Sequence, residues 1–212
     1  MVDCVSISTS HLFGGNPIYE QHRLRHECIV QRQSWNVPTI RNMEYDQYDN
    51  PAACYLVWRD KAGTARGSSR LCPTDRPYML QEIFPHLVSK ASMPKSSRVW
   101  EGSRFCIDSN LQPEMRKRIM QEIIVGYLEF GLDQGAINFV GVMYPAYWRN
   151  IFISNGWDVE FLGEPHRSEE GHKIVAGSVT VSRAALEKVR GKTGIRETVL
   201  NYGDEMEYRH AA

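Results

Sequence analysis

Three carboxylates, Glu44, Asp46 and Asp49, fall within six positions of the stretch NMEYDQYDN (42–50), interleaved with Tyr45 and Tyr48. Like charges this close raise one another's pKa unless a cation sits among them. Such a stretch is either a solvated acidic loop or a holder of positive charge, and in the second case one member can act as a general base. If Glu44–Asp46 is extended, both side chains leave the same face about 7 Å apart. A second charged group lies in WEGSRF (100–105). Period-two alternation puts Trp100, Gly102 and Arg104 on one face and Glu101, Ser103 and Phe105 on the other. A charge on each face of a central strand is costly unless paired. Glu101 and Arg104 therefore need partners, in a structural ion pair or a working site, and the first cluster offers carboxylates.

A third group is SNLQPEMRKR (109–118), where a helix begins after the strand and aims free N–H groups at a place that suits phosphate. Arg116, Lys117 and Arg118 add positive charge there; the alternative is an ordinary solvated helix face. His22 and His26 stand at i and i+4 without a third ligand, which reads as a surface pair. Ser103 lacks the G-x-S-x-G elbow, and Gly14–Gly15 lacks the dinucleotide fingerprint.

These groups need a scaffold, and the chain can build one. Its 212 residues are 42% hydrophobic and 24% charged, with 25 Lys and Arg against 25 Asp and Glu. That is a globular composition without the basic excess of a nucleic-acid binder. Cys4, Cys28, Cys54, Cys72 and Cys106 form no C-x-x-C pair, so reduced thiols are expected rather than zinc or disulfides. The amino terminus lacks a signal-peptide pattern and no apolar run approaches the ~18 residues of a spanning helix, so the expectation is a cytoplasmic protein without a membrane partner.

The pattern predicts strands at 2–9, 53–60, 64–73, 97–108, 137–143, 157–163 and 173–181. Helices are predicted at 14–33, 78–88, 109–135, 145–156 and 182–190, followed by a polar tail. In the first helix Asn16 and Pro17 supply the start, and Ile18, Leu24, Cys28 and Ile29 form the apolar side with Arg25 at its edge. Residues 34–52 read as a long loop, and Met115, Ile119, Ile123, Tyr127 and Leu128 as a core stripe. Strands alternating with helices imply one α/β domain.

The ordered set RLRHECIVQRQSW, MEYDQYD, RGSSRLCPTDRPYMLQEIFPHL and WEGSRFCID resembles the N-acyl-homoserine lactone synthases of the LuxI type, from about Arg25 to Trp157. Arg25, Trp35, Glu44, Asp46, Asp49, Arg70, Phe84, Glu101 and Arg104 match signature positions, and Phe105 falls in the matching SRF stretch. The resemblance implies a GNAT-like three-layer α/β/α sandwich in a single domain, with a mixed, splayed central sheet. Residues 1–110 would bind S-adenosylmethionine and carry the chemistry, 111–190 would serve the acyl chain and its carrier, and 191–212 would be a tail. The implied substrates are S-adenosylmethionine and an acyl thioester; no metal or cofactor is required.

The roles the resemblance implies are as follows. Glu101 is the leading general base, with Asp46 as competitor. Trp35, Asp46, Arg104 and Phe105 hold S-adenosylmethionine, while Arg25, Glu44, Asp49 and Arg70 form an ion-pair lattice that orders the loop. Phe84, Met143, Tyr144, Tyr147 and Trp148 line the acyl pocket. Arg116, Lys117, Arg118 and Arg149 offer phosphate or carrier docking. Departures from the family pattern are Ile29 for a usual Phe, and Tyr144 where a small hydroxyl is associated with 3-oxo chains. Tyr144, with Met143, Tyr147 and Trp148, favours a short, branched or aryl acyl group, and this pocket tilts the donor from acyl carrier protein toward acyl-CoA. Two rivals stay open: a GNAT-like N-acyltransferase on another amine, and a non-catalytic sensor of S-adenosylmethionine or acyl chains.

Overall fold

Alternating β-branched residues make Val2–Ser6 the first strand, β1. It stops short of the predicted Thr9 because the Ser6 and Thr9 side chains each accept the other's amide and close a turn. The chain is described here, for residues 1–203, by a computed structural model. Asn16 caps helix α1 (Pro17–Arg25), accepting the Tyr19 amide at 2.9 Å, and Pro17 opens it. The helix then widens into a π-helical segment, His26–Arg32, a feature frequent at functional sites.

Inside the predicted loop lies a small hairpin, β2 (Thr39–Ile40) and β3 (Met43–Glu44). Arg41 and Asn42 join its strands with φ of 49° and 61°, the pair of positive values that a two-residue I′ turn requires. Next come β4 (Cys54–Arg59), β5 (Ala65–Pro73), α2 (Met79–Glu82), a 3-10 turn at Pro85–Leu87, β6 (Val99–Ile107) and α3 (Pro113–Asp133). They are followed by β7 (Asn138–Met143) and α4 (Pro145–Tyr147), which runs on through a π turn at Trp148–Phe152 and a 3-10 turn at Ile153–Asn155. The chain then forms β8 (Val159–Phe161), β9 (His166–Arg167), β10 (Lys173–Thr180), α5 (Arg183–Thr193) and β11 (Leu200–Asn201). The pieces absent from the sequence reading, β2, β3, β9 and β11, are two residues each, too short to show a period. The last nine positions of the expected tail lie outside the described residues.

Two compact units result, one made of Met1–Arg70, Arg104–Gly126 and the described part of Val199–Ala212, the other of Leu71–Ser103 and Tyr127–Thr198. In the first, β1 pairs in parallel with β11 and antiparallel with β4, which neighbours β5. Ile119 and Ile123 of α3 press on Gly67 of β5, where a Cβ would come within 2.4 Å of Ile119 Cγ2. Alternation then sends Ser68 and Arg70 to the opposite face of β5. The predicted stripe needs one correction: Met115 is 44% exposed, because it sits in the first turn of α3, whereas Ile119 and Ile123 are fully buried.

In the second unit β6 pairs in parallel with β7, β7 antiparallel with β10, and β10 antiparallel with β8 and β9. An aromatic core fills it, with Tyr127–Phe139 and Trp100–Phe130 both edge-on at 4.9 Å. Tyr127 of α3 lies on Gly102, where a Cβ would fall 2.5 Å from the Tyr127 hydroxyl. Glu101, one residue before, therefore projects from the other face. Among the described residues no helix is long and apolar enough to cross a membrane.

Candidate active site

The first unit brings six of the charged residues into one network. Arg25 pairs with Glu44 and gives Nη1 and Nη2 to the two Asp49 carboxylate oxygens at 2.7 and 2.9 Å. Arg70 reaches Asp46 at 2.5 and 3.1 Å and Asp49 at 3.1 Å. Arg104 closes the circuit, with Nε on Glu44 at 3.1 Å and Nη2 on Asp46 at 2.7 Å. The sequence reading divided these residues between substrate ligands and lattice; in the structure Asp46 and Arg104 are also lattice members. Three guanidinium groups match three carboxylates. The positive charge that the acidic stretch holds is therefore the chain's own.

Arg104 reaches this network by breaking the alternation expected of its strand. Its φ is 56°, a left-handed conformation uncommon for a residue with a Cβ. Such a residue inside a strand re-aims the side chains that follow, as at a bulge. Strain of this kind concentrates at functional sites.

The network has an inside and an outside. The side chains of Arg25, Glu44, Asp49 and Arg70 are at most 1% exposed, whereas that of Arg104 reaches 14% and that of Asp46 6%. A ligand would therefore meet the network along its Asp46–Arg104 edge. Phe105, next to Arg104, and Trp35, whose amide binds the Ile29 carbonyl at 3.1 Å, are half-buried. Burial alone would raise the Asp49 carboxyl, but the hydrogen bonds and charge of Arg25 and the charge of Arg70 hold it well below the usual carboxylate range.

Three supporting residues had no role in the sequence reading. Tyr55 donates its hydroxyl to Asp49 at 3.0 Å, and the Arg70 guanidinium lies 5.6 Å from the Tyr48 ring. His22 is buried, with Nδ1 2.8 Å from the Glu44 carbonyl oxygen. This corrects the surface-pair expectation: His22 lies three residues before Arg25, on the inward face, while His26 is half-buried. The i, i+3 spacing to a buried arginine was the available signal. Among the described residues no group of three or more His, Cys, Asp and Glu side chains is placed to hold a metal.

Glu101 belongs to the second unit. It is fully buried, and its two carboxylate oxygens accept the amides of Leu80 at 2.6 Å and Met79 at 3.2 Å, the first residues of α2.

Comparison with known proteins now places this geometry. Residues 10–189 match the autoinducer synthase family model. The chain belongs to the autoinducer synthase family. The isovaleryl-homoserine lactone synthase of Bradyrhizobium diazoefficiens is 28% identical over 98% of this chain and 92% of its own. An acyl-homoserine-lactone synthase of Agrobacterium fabrum is 31% identical over 80% of this chain and 82% of its own. Among solved structures, the CoA-dependent acyl-homoserine lactone synthase BjaI, with SAM and isopentyl-CoA, superposes with a TM-score of 0.83 at 26% identity. That match covers 100% of this chain and 99% of BjaI. The protein is thus an acyltransferase of the acyl-homoserine-lactone synthase kind, and its fold is the GNAT-like α/β class that the sequence led us to expect.

The remaining residues sort by unit. In this autoinducer synthase Trp148 is buried in the second unit's core, where its Nε1 donates to the Val175 carbonyl at 3.1 Å and its indole covers Gly177. The Tyr144 ring meets those of Tyr147 and His172 at 5.0 and 5.5 Å. Met143 and Phe84 are half-buried, and Tyr147 is exposed. Of the basic residues, Lys117 and Arg118 are exposed on α3 and Arg116 is half-buried. Arg118 is tied to Glu122 at 2.5 Å, a carboxylate that also accepts Trp58 Nε1 and pairs with the terminal amine. Arg149 is exposed in the other unit.

Proposed function

We propose that this synthase acylates the amine of S-adenosylmethionine from a CoA thioester carrying a short, branched acyl group and then closes the lactone. The observation that carries this reading is end-to-end likeness to the isovaleryl-homoserine lactone synthase and to BjaI, which was solved with SAM and isopentyl-CoA. The half-buried Trp35 and Phe105 suit the apolar and cationic parts of the sulfonium substrate. The Asp46–Arg104 edge sets the charge of a carboxylate near its ammonium and a guanidinium near its carboxylate.

The α-ammonium must lose a proton before it can attack. Asp46 is poorly suited to take it, because Oδ1 already accepts from Arg70 and the Tyr48 amide, and Oδ2 from Arg70 and Arg104. Those four bonds fill a carboxylate's acceptor capacity. Glu101, directly or through water, is the base in this reading. The free amine adds to the thioester carbonyl and the thiolate leaves, taking the amine's second proton. The methionyl carboxylate then attacks its own γ-carbon, which breaks the carbon–sulfur bond and releases methylthioadenosine. Sulfonium is a good leaving group, so positioning suffices for this step.

Incubation with S-adenosylmethionine and isovaleryl-CoA, read by mass spectrometry, tests the reading. It predicts the acyl-homoserine lactone and methylthioadenosine in equal amounts. Acylation without methylthioadenosine would instead mark an N-acyltransferase of another kind.

A further inference from the structure

His22 takes no part in the chemistry above, yet it is buried against the loop that carries the carboxylates. Its ring lies 5.6 Å from Tyr45 and 6.1 Å from Tyr55, and Tyr55 in turn holds Asp49. A carbonyl oxygen can only accept, so the 2.8 Å contact with Glu44 makes Nδ1 a protonated, donating nitrogen. One face of α1 thus grips this loop twice: Arg25 holds the Glu44 and Asp49 side chains, and His22 holds the Glu44 main chain.

We infer that His22 is a positioning residue for S-adenosylmethionine: by fixing the Glu44 carbonyl it sets where Asp46, two residues on, presents the outer edge of the network. This rests on the reading of that edge as the S-adenosylmethionine site. The grip also makes the edge sensitive to acid. The groups facing His22 are Arg25 on its own helix, Glu44, Tyr45 and Asp49 on the loop, and Tyr55 on β4. The network's six charges already balance. A second proton on the imidazole would add an unmatched buried cation beside Arg25. Burial first, and then Arg25, push His22 below its ordinary pKa, against the opposing pull of Asp49 and Glu44.

Two substitutions separate the hydrogen bond from the packing. His22→Phe keeps a ring between the tyrosines and loses the donor; His22→Asn keeps an N–H donor at the Nδ1 position and loses the ring. The full-length variants would be compared with wild type for S-adenosylmethionine KM, kcat and amide exchange of residues 43–49. His22→Phe should raise KM about five- to tenfold, the loss of one hydrogen bond, with kcat within about twofold and faster loop exchange. His22→Asn should recover most of both. The wild-type KM should rise only at pH below the ordinary imidazole value of about 6.5, because the folded His22 titrates lower, and His22→Asn should lack that rise. Equal KM and exchange in His22→Phe and wild type would overturn the inference, as would equal losses in both variants. If His22→Phe does not fold, the pH arm decides: an acid rise that persists in His22→Asn overturns it. Wild type that binds no S-adenosylmethionine while the exchange difference stands would strike the site reading rather than the grip of His22 on the loop.

Discussion

Asp49 gives both carboxylate oxygens to the guanidinium of Arg25, 24 positions earlier, at 2.7 and 2.9 Å, with neither side chain more than 1% exposed. A bidentate pair this deep fixes geometry more than it adds stability, but removing one partner strands a buried charge. Asp49→Ala should therefore lower unfolding stability by about 3–5 kcal/mol, as measured by urea denaturation. A loss below about 1 kcal/mol would mean that Arg25 finds another partner.

Acid should undo the same pair. The Asp49 carboxyl is held below its ordinary range when folded, so the unfolded chain takes up its proton first. Its contribution is fully present above the unfolded pKa of about 3.9 and is lost as pH falls from there toward the lower folded value. Stability measured from about pH 5 down to pH 3 should fall more steeply in wild type than in Asp49→Asn. Equal slopes would remove Asp49 as the source.

Glu101→Gln tests the base, and the structure adds a control. The substitution should lower the acylation rate by about 10²-fold or more. It also turns an amide NH₂ toward the Met79 and Leu80 N–H groups, which should cost about 1–2 kcal/mol of stability. Rate and unfolding must therefore be measured together. A near-normal rate in a folded variant would move the base elsewhere.

Tyr144 is half-buried beside two aromatic rings, those of Tyr147 and His172. Tyr144→Thr should raise kcat/KM for acyl groups longer than isovaleryl by about tenfold relative to isovaleryl, in competition assays with paired CoA thioesters. An unchanged profile would make Tyr144 a packing residue.

Much of this was legible in the sequence because the long elements carry their own signals. Asn16–Pro17 marked the start of α1, and Ile119–Ile123 the buried face of α3. The ion-pair residues were legible as types, since three close carboxylates demand cations. Which cations they would find was named by the family resemblance for Arg25 and Arg70 and by the unpaired strand charge of Arg104, not by any local pattern, because the three arginines come from three separate elements. Two features had no local sign. The left-handed backbone of Arg104 accompanies tertiary bonds to Glu44 and Asp46, which strand alternation does not announce. The bond from His22 to a main-chain carbonyl 22 residues away leaves no mark on side-chain patterning.

The most direct test of the account is the product assay, run with purified protein, S-adenosylmethionine, and matched CoA and acyl-carrier-protein thioesters of straight, branched, 3-oxo and aryl acids. The account predicts isovaleryl-homoserine lactone and methylthioadenosine in equal yield, formed faster from the CoA thioester than from the carrier-bound one. Lactone formed faster from a carrier-bound or 3-oxo donor would contradict the proposed substrate. Bound S-adenosylmethionine with every thioester left intact would contradict the proposed reaction itself.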